Sequence, residues 1–169
     1  MGPYATGALL IVLAVAQLTL APRAALDGAF PSLPLLAAVC WTVLRGPREG
    51  LVLAIGGGLA LDLASSAPIG MYSLPFGAAA VVVSGGRALT NARGMLLTAG
   101  LVVVATAAAM AVQLGLIAAA GGHVVFEARA VWELFVPAAA MNLIWLAVVY
   151  PPLRRLAKRI GGPRLEWGL

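Results

Sequence analysis

The chain has 169 residues, of which 62% are hydrophobic and only 10% are charged, and its mean hydropathy is +1.01. Soluble domains average about 25% charged residues, so this composition excludes an ordinary soluble domain and predicts an integral membrane protein. No hydrophilic stretch is long enough for a second folded domain, which favours one compact helical bundle. The net charge of +5 does not require nucleic-acid binding, because basic residues beside apolar segments are typical of membrane proteins.

Six apolar segments follow one another along the chain. We predict an all-α bundle of six membrane spans at residues 4–21, 32–44, 50–65, 71–86, 95–120 and 134–150. The second, third and fourth are shorter than the roughly 20 residues that usually cross a bilayer, which predicts compressed or tilted spans, with a re-entrant element as the alternative. Pro151 and Pro152 are predicted to end the last span, and the loop at residues 121–133 is predicted to form a short interfacial helix with Phe126 and Trp132 at headgroup level.

The placement of the basic residues orients these spans. Nine of the 11 Lys and Arg fall on one side of a six-span chain, and the other side has Arg23 and Arg129 together with Asp27, Glu127 and Glu133. Cytoplasmic loops carry the excess of basic residues, so both termini are predicted to be cytoplasmic. The nine are Arg45, Arg48, Arg87, Arg93, Arg154, Arg155, Lys158, Arg159 and Arg164.

The C-terminal residues differ in character from the rest. We divide the chain into the bundle, residues 1–152, and a basic cytoplasmic tail, residues 153–169. The tail places Leu153, Leu156 and Ile160 on one stripe, with Arg154, Arg155, Lys158 and Arg159 around it. This pattern predicts an amphipathic helix on the anionic inner leaflet, and a docking site for a protein is the alternative.

The third apolar segment carries small residues at regular spacing. Gly50, Ala54, Gly58, Asp62 and Ser66 recur every four residues, and side chains four apart lie on one helix face. Small residues let helix backbones approach closely within a membrane. We therefore predict tight helix packing along this face.

Asp62 is the candidate polar group of that face. A carboxylate in a membrane helix indicates a functional site by default, here proton or solute coupling. The favoured interpretation is structural: Asp62 accepts hydrogen bonds from the turn at residues 65–70, or pairs with Arg23 or Arg129. The basic turn before this helix, with Arg45 and Arg48, is interpreted as a topology anchor among lipid phosphates or as a cytoplasmic contact for a partner.

Three amides, Gln17, Gln113 and Asn142, lie in three different spans. Such residues usually form interhelical hydrogen bonds, and a shared polar cavity is the alternative. The chain has no HExxH or GxSxG motif, and Cys40 and His123 make no metal cluster by themselves. We predict no catalytic residue, cofactor or metal site, and therefore no enzyme.

The stretch from Leu44 to Gly70 resembles the bacterial rod shape-determining protein MreD family. That family has a pattern like RGPxxG, an apolar helix containing glycine, and then DxxSxxPxG. The matching residues here are Arg45, Gly46, Pro47, Gly50, Asp62, Ser65, Pro68 and Gly70. The resemblance implies a non-catalytic scaffold of the cell-elongation complex in the cytoplasmic membrane. It also implies association with MreC, and through it with MreB, RodA and its partner transpeptidase in peptidoglycan synthesis.

A second resemblance leads to a different function. MreD-like proteins look distantly like the S components of energy-coupling-factor transporters, which are also six-span bundles. That resemblance implies a membrane subunit that binds a vitamin near its outer face. Asp62, Gln113 and the loop from Glu127 to Glu133 could supply polar groups for such a site.

Overall fold

The computed structural model describes residues 3–20, 23, 30–90, 94–122 and 127–159. Within these residues the chain forms six α-helices and no β-strand, in the order of the six predicted segments. Two of them, α5 and α6, are long and apolar enough to cross a membrane. The helices are α1 (Pro3–Leu20), α2 (Leu33–Arg45), α3 (Pro47–Ala64), α4 (Ser73–Thr90), α5 (Met95–Ala119) and α6 (Ala128–Arg159).

The short helix α2 is the centre of the bundle. Every residue from 33 to 43 is buried, including Trp41 with 0% of its surface exposed. Because a helix that is apolar on all sides has no face suited to water, it is stable only when neighbours surround it. Here α2 packs against each of the other five helices. Its 13 residues span about 20 Å at 1.5 Å per residue.

The other five helices surround α2 as an incomplete ring. Neighbours in the ring pack in the order α1, α3, α4, α5, α6. Within the described residues, α6 does not pack against α1, so the ring is open between these two helices. This opening borders the cavity described below.

The last helix is longer than the sequence predicted. Pro151 and Pro152 were expected to end it, but α6 continues through both to Arg159. A proline inside a helix removes one backbone hydrogen bond and crowds the preceding turn. Packing offsets this cost, because Leu153 and Ala157 beyond the prolines are buried in the core.

Other predicted boundaries also shift. The predicted end of the fourth segment at residue 86 is wrong, since α4 runs through Gly85 and Gly86 to Thr90. A Cβ at Gly86 would lie 2.7 Å from Leu101 Cδ2, so glycine there permits close packing with α5. The third helix begins earlier than predicted, at Pro47, which suits the first turn of a helix.

The predicted interfacial helix is not separate. Residues 128–133 form the first turns of α6, with Trp132 exposed. Several predicted features lie outside the described residues, namely Asp27, Arg93, His123, Phe126, Ile160, Arg164 and residues 160–169 of the tail.

Candidate functional site

Asp62, near the end of α3, forms hydrogen bonds with residues at the start of α4. Its buried carboxylate accepts hydrogen bonds from the backbone N–H groups of Gly70 (2.9 Å), Tyr72 (2.8 Å) and Ser73 (3.2 Å). It also accepts one from the Ser73 hydroxyl at 2.8 Å. The first N–H groups of a helix lack partners within the helix, and a negative charge is favourable at that end. Asp62 therefore caps α4 from another helix. The predicted acceptor role is confirmed for Gly70 of the turn, while the other donors, Tyr72 and Ser73, lie beyond that turn. Neither Arg23 nor Arg129 is a partner of the carboxylate.

The turn between α3 and α4 explains the spacing of the residues after Asp62. Met71 N–H donates to the Pro68 carbonyl at 3.2 Å, which closes a four-residue turn. Gly70, third in this turn, has a φ of +105°, a conformation that favours glycine. Ser65 Oγ accepts a hydrogen bond from Ala67 N–H at 3.4 Å. Together these residues direct the N–H groups of the turn toward one carboxylate.

The predicted small-residue face packs against two neighbours of α3. A Cβ at Gly50 would overlap Thr42 of α2, and one at Gly58 would overlap the backbone of Ser73 in α4. Ala54 between them is fully buried. Close backbone approach at both ends thus brings Asp62 to the start of α4. Ser66, predicted as the last member of the face, lies beyond α3 and is exposed.

At the opposite end of α3, Glu49 connects α2 with α3. It accepts a hydrogen bond from Trp41 Nε1 at 2.9 Å and forms a salt bridge with Arg45 at 3.0 Å. Gly46, the junction between the helices, is buried and has a φ of +121°. Burial raises the pKa of the Glu49 carboxyl, but the hydrogen bonds from Arg45 and Trp41 and the positive charge of Arg45 together lower it by more, so this pKa lies below its usual value.

This network changes the interpretation of the basic turn. Arg45 is engaged within the protein, whereas Arg48 in the first turn of α3 is exposed. The sequence analysis missed Glu49. Its position four residues after Arg45 was the available signal, because residues four apart on helices can pair.

Two of the three membrane amides hold the start of α2. Gln17 donates to the Pro31 carbonyl (3.0 Å) and accepts from Leu33 N–H (2.7 Å). Asn142 accepts from Ser32 N–H (2.8 Å). Asn142 Nδ2 also donates to Thr106 Oγ1 at 3.0 Å, a partner that the sequence analysis missed. The interhelical interpretation is confirmed for Gln17 and Asn142.

A cavity of about 590 Å³ adjoins these hydrogen bonds. All three amides line it, as the alternative of a shared cavity predicted, but the cavity is not the polar one that was expected. Most of the remaining wall is apolar, from residues such as Leu114, Ile117, Leu134, Pro137 and Ala138. The amide of Gln113 lies on this wall, on α5.

The basic residues of the predicted tail form an exposed strip on α6. Arg154, Arg155, Lys158 and Arg159 are exposed, while Leu153 and Ala157 on the same turns are buried. The described part of the tail, residues 153–159, is helical, as predicted, but it continues α6 without a break.

These features define a small helical protein with apolar helices, in which buried polar side chains bind the ends of neighbouring helices and four exposed cations lie at the C-terminal end of α6. The chain belongs to the MreD family: the family described as rod shape-determining protein MreD matches residues 1–160. Family membership implies a role in rod shape determination, and the MreD family is part of the MreBCD shape complex. Neither the curated proteins nor the solved structures contain a match to this chain.

Proposed function

We propose that this protein is a non-catalytic scaffold of the bacterial cell-elongation complex. In this proposal it binds MreC in the cytoplasmic membrane and supports peptidoglycan synthesis along the cell side wall. Family membership is the observation that carries the proposal. The short connections between described helices support it, since they leave the helix faces as the main surface for a partner.

All six helices cross the membrane in this proposal, with both termini in the cytoplasm. The helices α1, α3 and α4 have 18 residues each, or about 27 Å, close to the roughly 30 Å thickness of the hydrocarbon core. The shorter α2 fits because the other helices surround it. The exposed cations of α6 then lie beside the anionic inner leaflet.

Among the candidate partner residues on α3, a buried group and an exposed group can be distinguished. Gly50, Ala54, Gly58 and Asp62 are buried, so they act through the fold rather than by touching a partner. Pro47 and Arg48 are exposed at the start of α3 and can contact MreC, MreB or lipid phosphates. RodA and its partner transpeptidase would associate through MreC and the helix faces.

The cavity is the one observation that favours a solute-binding subunit like an S component. A vitamin site needs several polar groups directed at the solute. Here the amides of Gln17 and Asn142 already bind the start of α2. We therefore retain the scaffold as the proposed function.

Depletion of this protein in its own host tests the proposal. We expect cells to lose rod shape and side-wall incorporation of peptidoglycan precursors, and a plasmid copy to restore both. Depleted cells that stay rod-shaped but require an added vitamin would contradict the scaffold and support the solute-binding alternative.

A further inference from the structure

The cavity exists because the central helix is short. Ser32 and Leu35, at the start of α2, form part of its lining. The helices α5 and α6, with 25 and 32 residues, continue past this point and supply much of the wall. Beyond the N-terminus of α2, no described helix occupies the centre of the bundle, and the cavity lies there.

The depth of the cavity matches one leaflet. Its lining on α6 extends from Glu133 to Asn142, a rise of about 14 Å at 1.5 Å per residue. One leaflet contributes roughly half of the 30 Å hydrocarbon core. In the proposed topology, on which this inference rests, the cavity lies within the outer leaflet.

The cavity borders the open side of the ring. Gln17 of α1 and Phe30 line one side, and Leu134 and Ala138 of α6 line the other. In the part of the chain that is described, α1 and α6 do not pack against each other. Phe30 and Leu134 are more than half exposed, at 54% and 58%. Among the described helices, none therefore covers the cavity between α1 and α6 at this depth.

We propose that the cavity holds one acyl chain of an outer-leaflet phospholipid, which enters between α1 and α6. Its volume of about 590 Å³ lies within the range of sites that enclose small ligands. The atoms that line an apolar cavity of this size lose dispersion contacts when the cavity is empty. Such a cavity binds apolar molecules in preference to water. At this depth the available apolar molecules are lipid chains. The Gln113 amide can donate a hydrogen bond to an ester carbonyl.

Photo-crosslinking tests this proposal on the full chain without partners. The protein is placed in nanodiscs that contain a phospholipid with a diazirine in the middle of one chain, and the labelled peptides are identified by mass spectrometry. We expect label on the cavity wall of α5 and α6. Ala138→Trp should reduce this label several-fold, because the indole fills the cavity. Ala140→Trp, on the exposed side of the same helix, should leave it unchanged.

A second pair of variants keeps the test valid if Ala138→Trp fails to fold. Leu114→Trp fills the cavity from α5, and the exposed Ala111→Trp is its control. Label confined to the outer surface, or equal cavity labelling in filling and control variants, would overturn the proposal. MreC is absent from this assay, so its outcome does not depend on MreC binding. If the cavity is labelled but the protein fails to bind MreC in a separate purification, the scaffold proposal is contradicted and the lipid proposal is not.

Discussion

Removal of the Asp62 carboxylate should destabilise the fold rather than abolish a chemical step. The carboxylate accepts three backbone N–H groups and one hydroxyl. Asp62→Ala removes this shared acceptor, and no backbone carbonyl of α4 can replace it, because the first N–H groups of a helix point away from its own carbonyls. The start of α4 would then lose its connection to the end of α3.

The expected loss is about 3 kcal/mol in the free energy of unfolding. An unpaired buried donor costs about 1–3 kcal/mol, and the lower end applies because these hydrogen bonds are only partly buried. The Ser73 hydroxyl can rotate toward another acceptor, so only the three backbone donors enter this value. Asp62→Asn keeps one oxygen acceptor, so we expect a loss between those of wild type and Asp62→Ala.

Equilibrium unfolding in mixed micelles measures these differences directly. Ser66→Ala is the matched control, because Ser66 lies in the same turn and its side chain is exposed. Its effect should stay within about 0.5 kcal/mol. An Asp62→Ala protein as stable as Ser66→Ala would refute the capping role. A stable Asp62→Asn protein that fails to maintain rod shape would instead support proton or solute coupling.

Three further predictions concern other parts of the fold. Gly58→Ala should lower the free energy of unfolding by about 1–3 kcal/mol, because the added methyl group forces α3 away from Ser73. Gly100→Ala, with open space around the glycine, should raise it by up to about 1 kcal/mol. Unfolding curves that rank the two variants in the reverse order would contradict the packing argument. Asn142→Leu should cost about 1–3 kcal/mol because Ser32 N–H loses its acceptor, and an unchanged unfolding free energy would show that the start of α2 needs no such bond. Because the pKa of Glu49 is lowered in the folded protein, its carboxylate stabilises the fold above the ordinary Glu pKa, and this stabilisation disappears as the pH falls through the folded pKa. The free energy of unfolding of wild type should therefore exceed that of Glu49→Gln at neutral pH and approach it on acidification. A difference between the two that does not change with pH would contradict this.

The elements that the sequence predicted well depend on local patterns. The spacing of four from Gly50 to Asp62 defines a helix face without reference to the rest of the chain. The turn residues Pro68 and Gly70 lie near Asp62 in sequence, so the acceptor role could be predicted from proximity. The order of the six helices followed from hydropathy alone.

The features that the sequence did not predict depend on distant contacts. The passage of α6 through Pro151 and Pro152 requires burial of Leu153 against other helices, which hydropathy along one segment does not reveal. The pairing of Asn142 with Ser32 and Thr106 joins residues far apart in the chain. The cavity arises from the difference in length between α2 and its neighbours, which matters only once α2 is known to be central.

Affinity purification of the tagged, detergent-solubilised chain from its own host membranes tests the central claim most directly. The proteins that accompany the chain are identified by mass spectrometry. The scaffold proposal predicts recovery of MreC together with cell-wall synthesis proteins. Recovery of ATPase subunits with a coupling membrane protein, or of a bound vitamin, in the absence of MreC would contradict it.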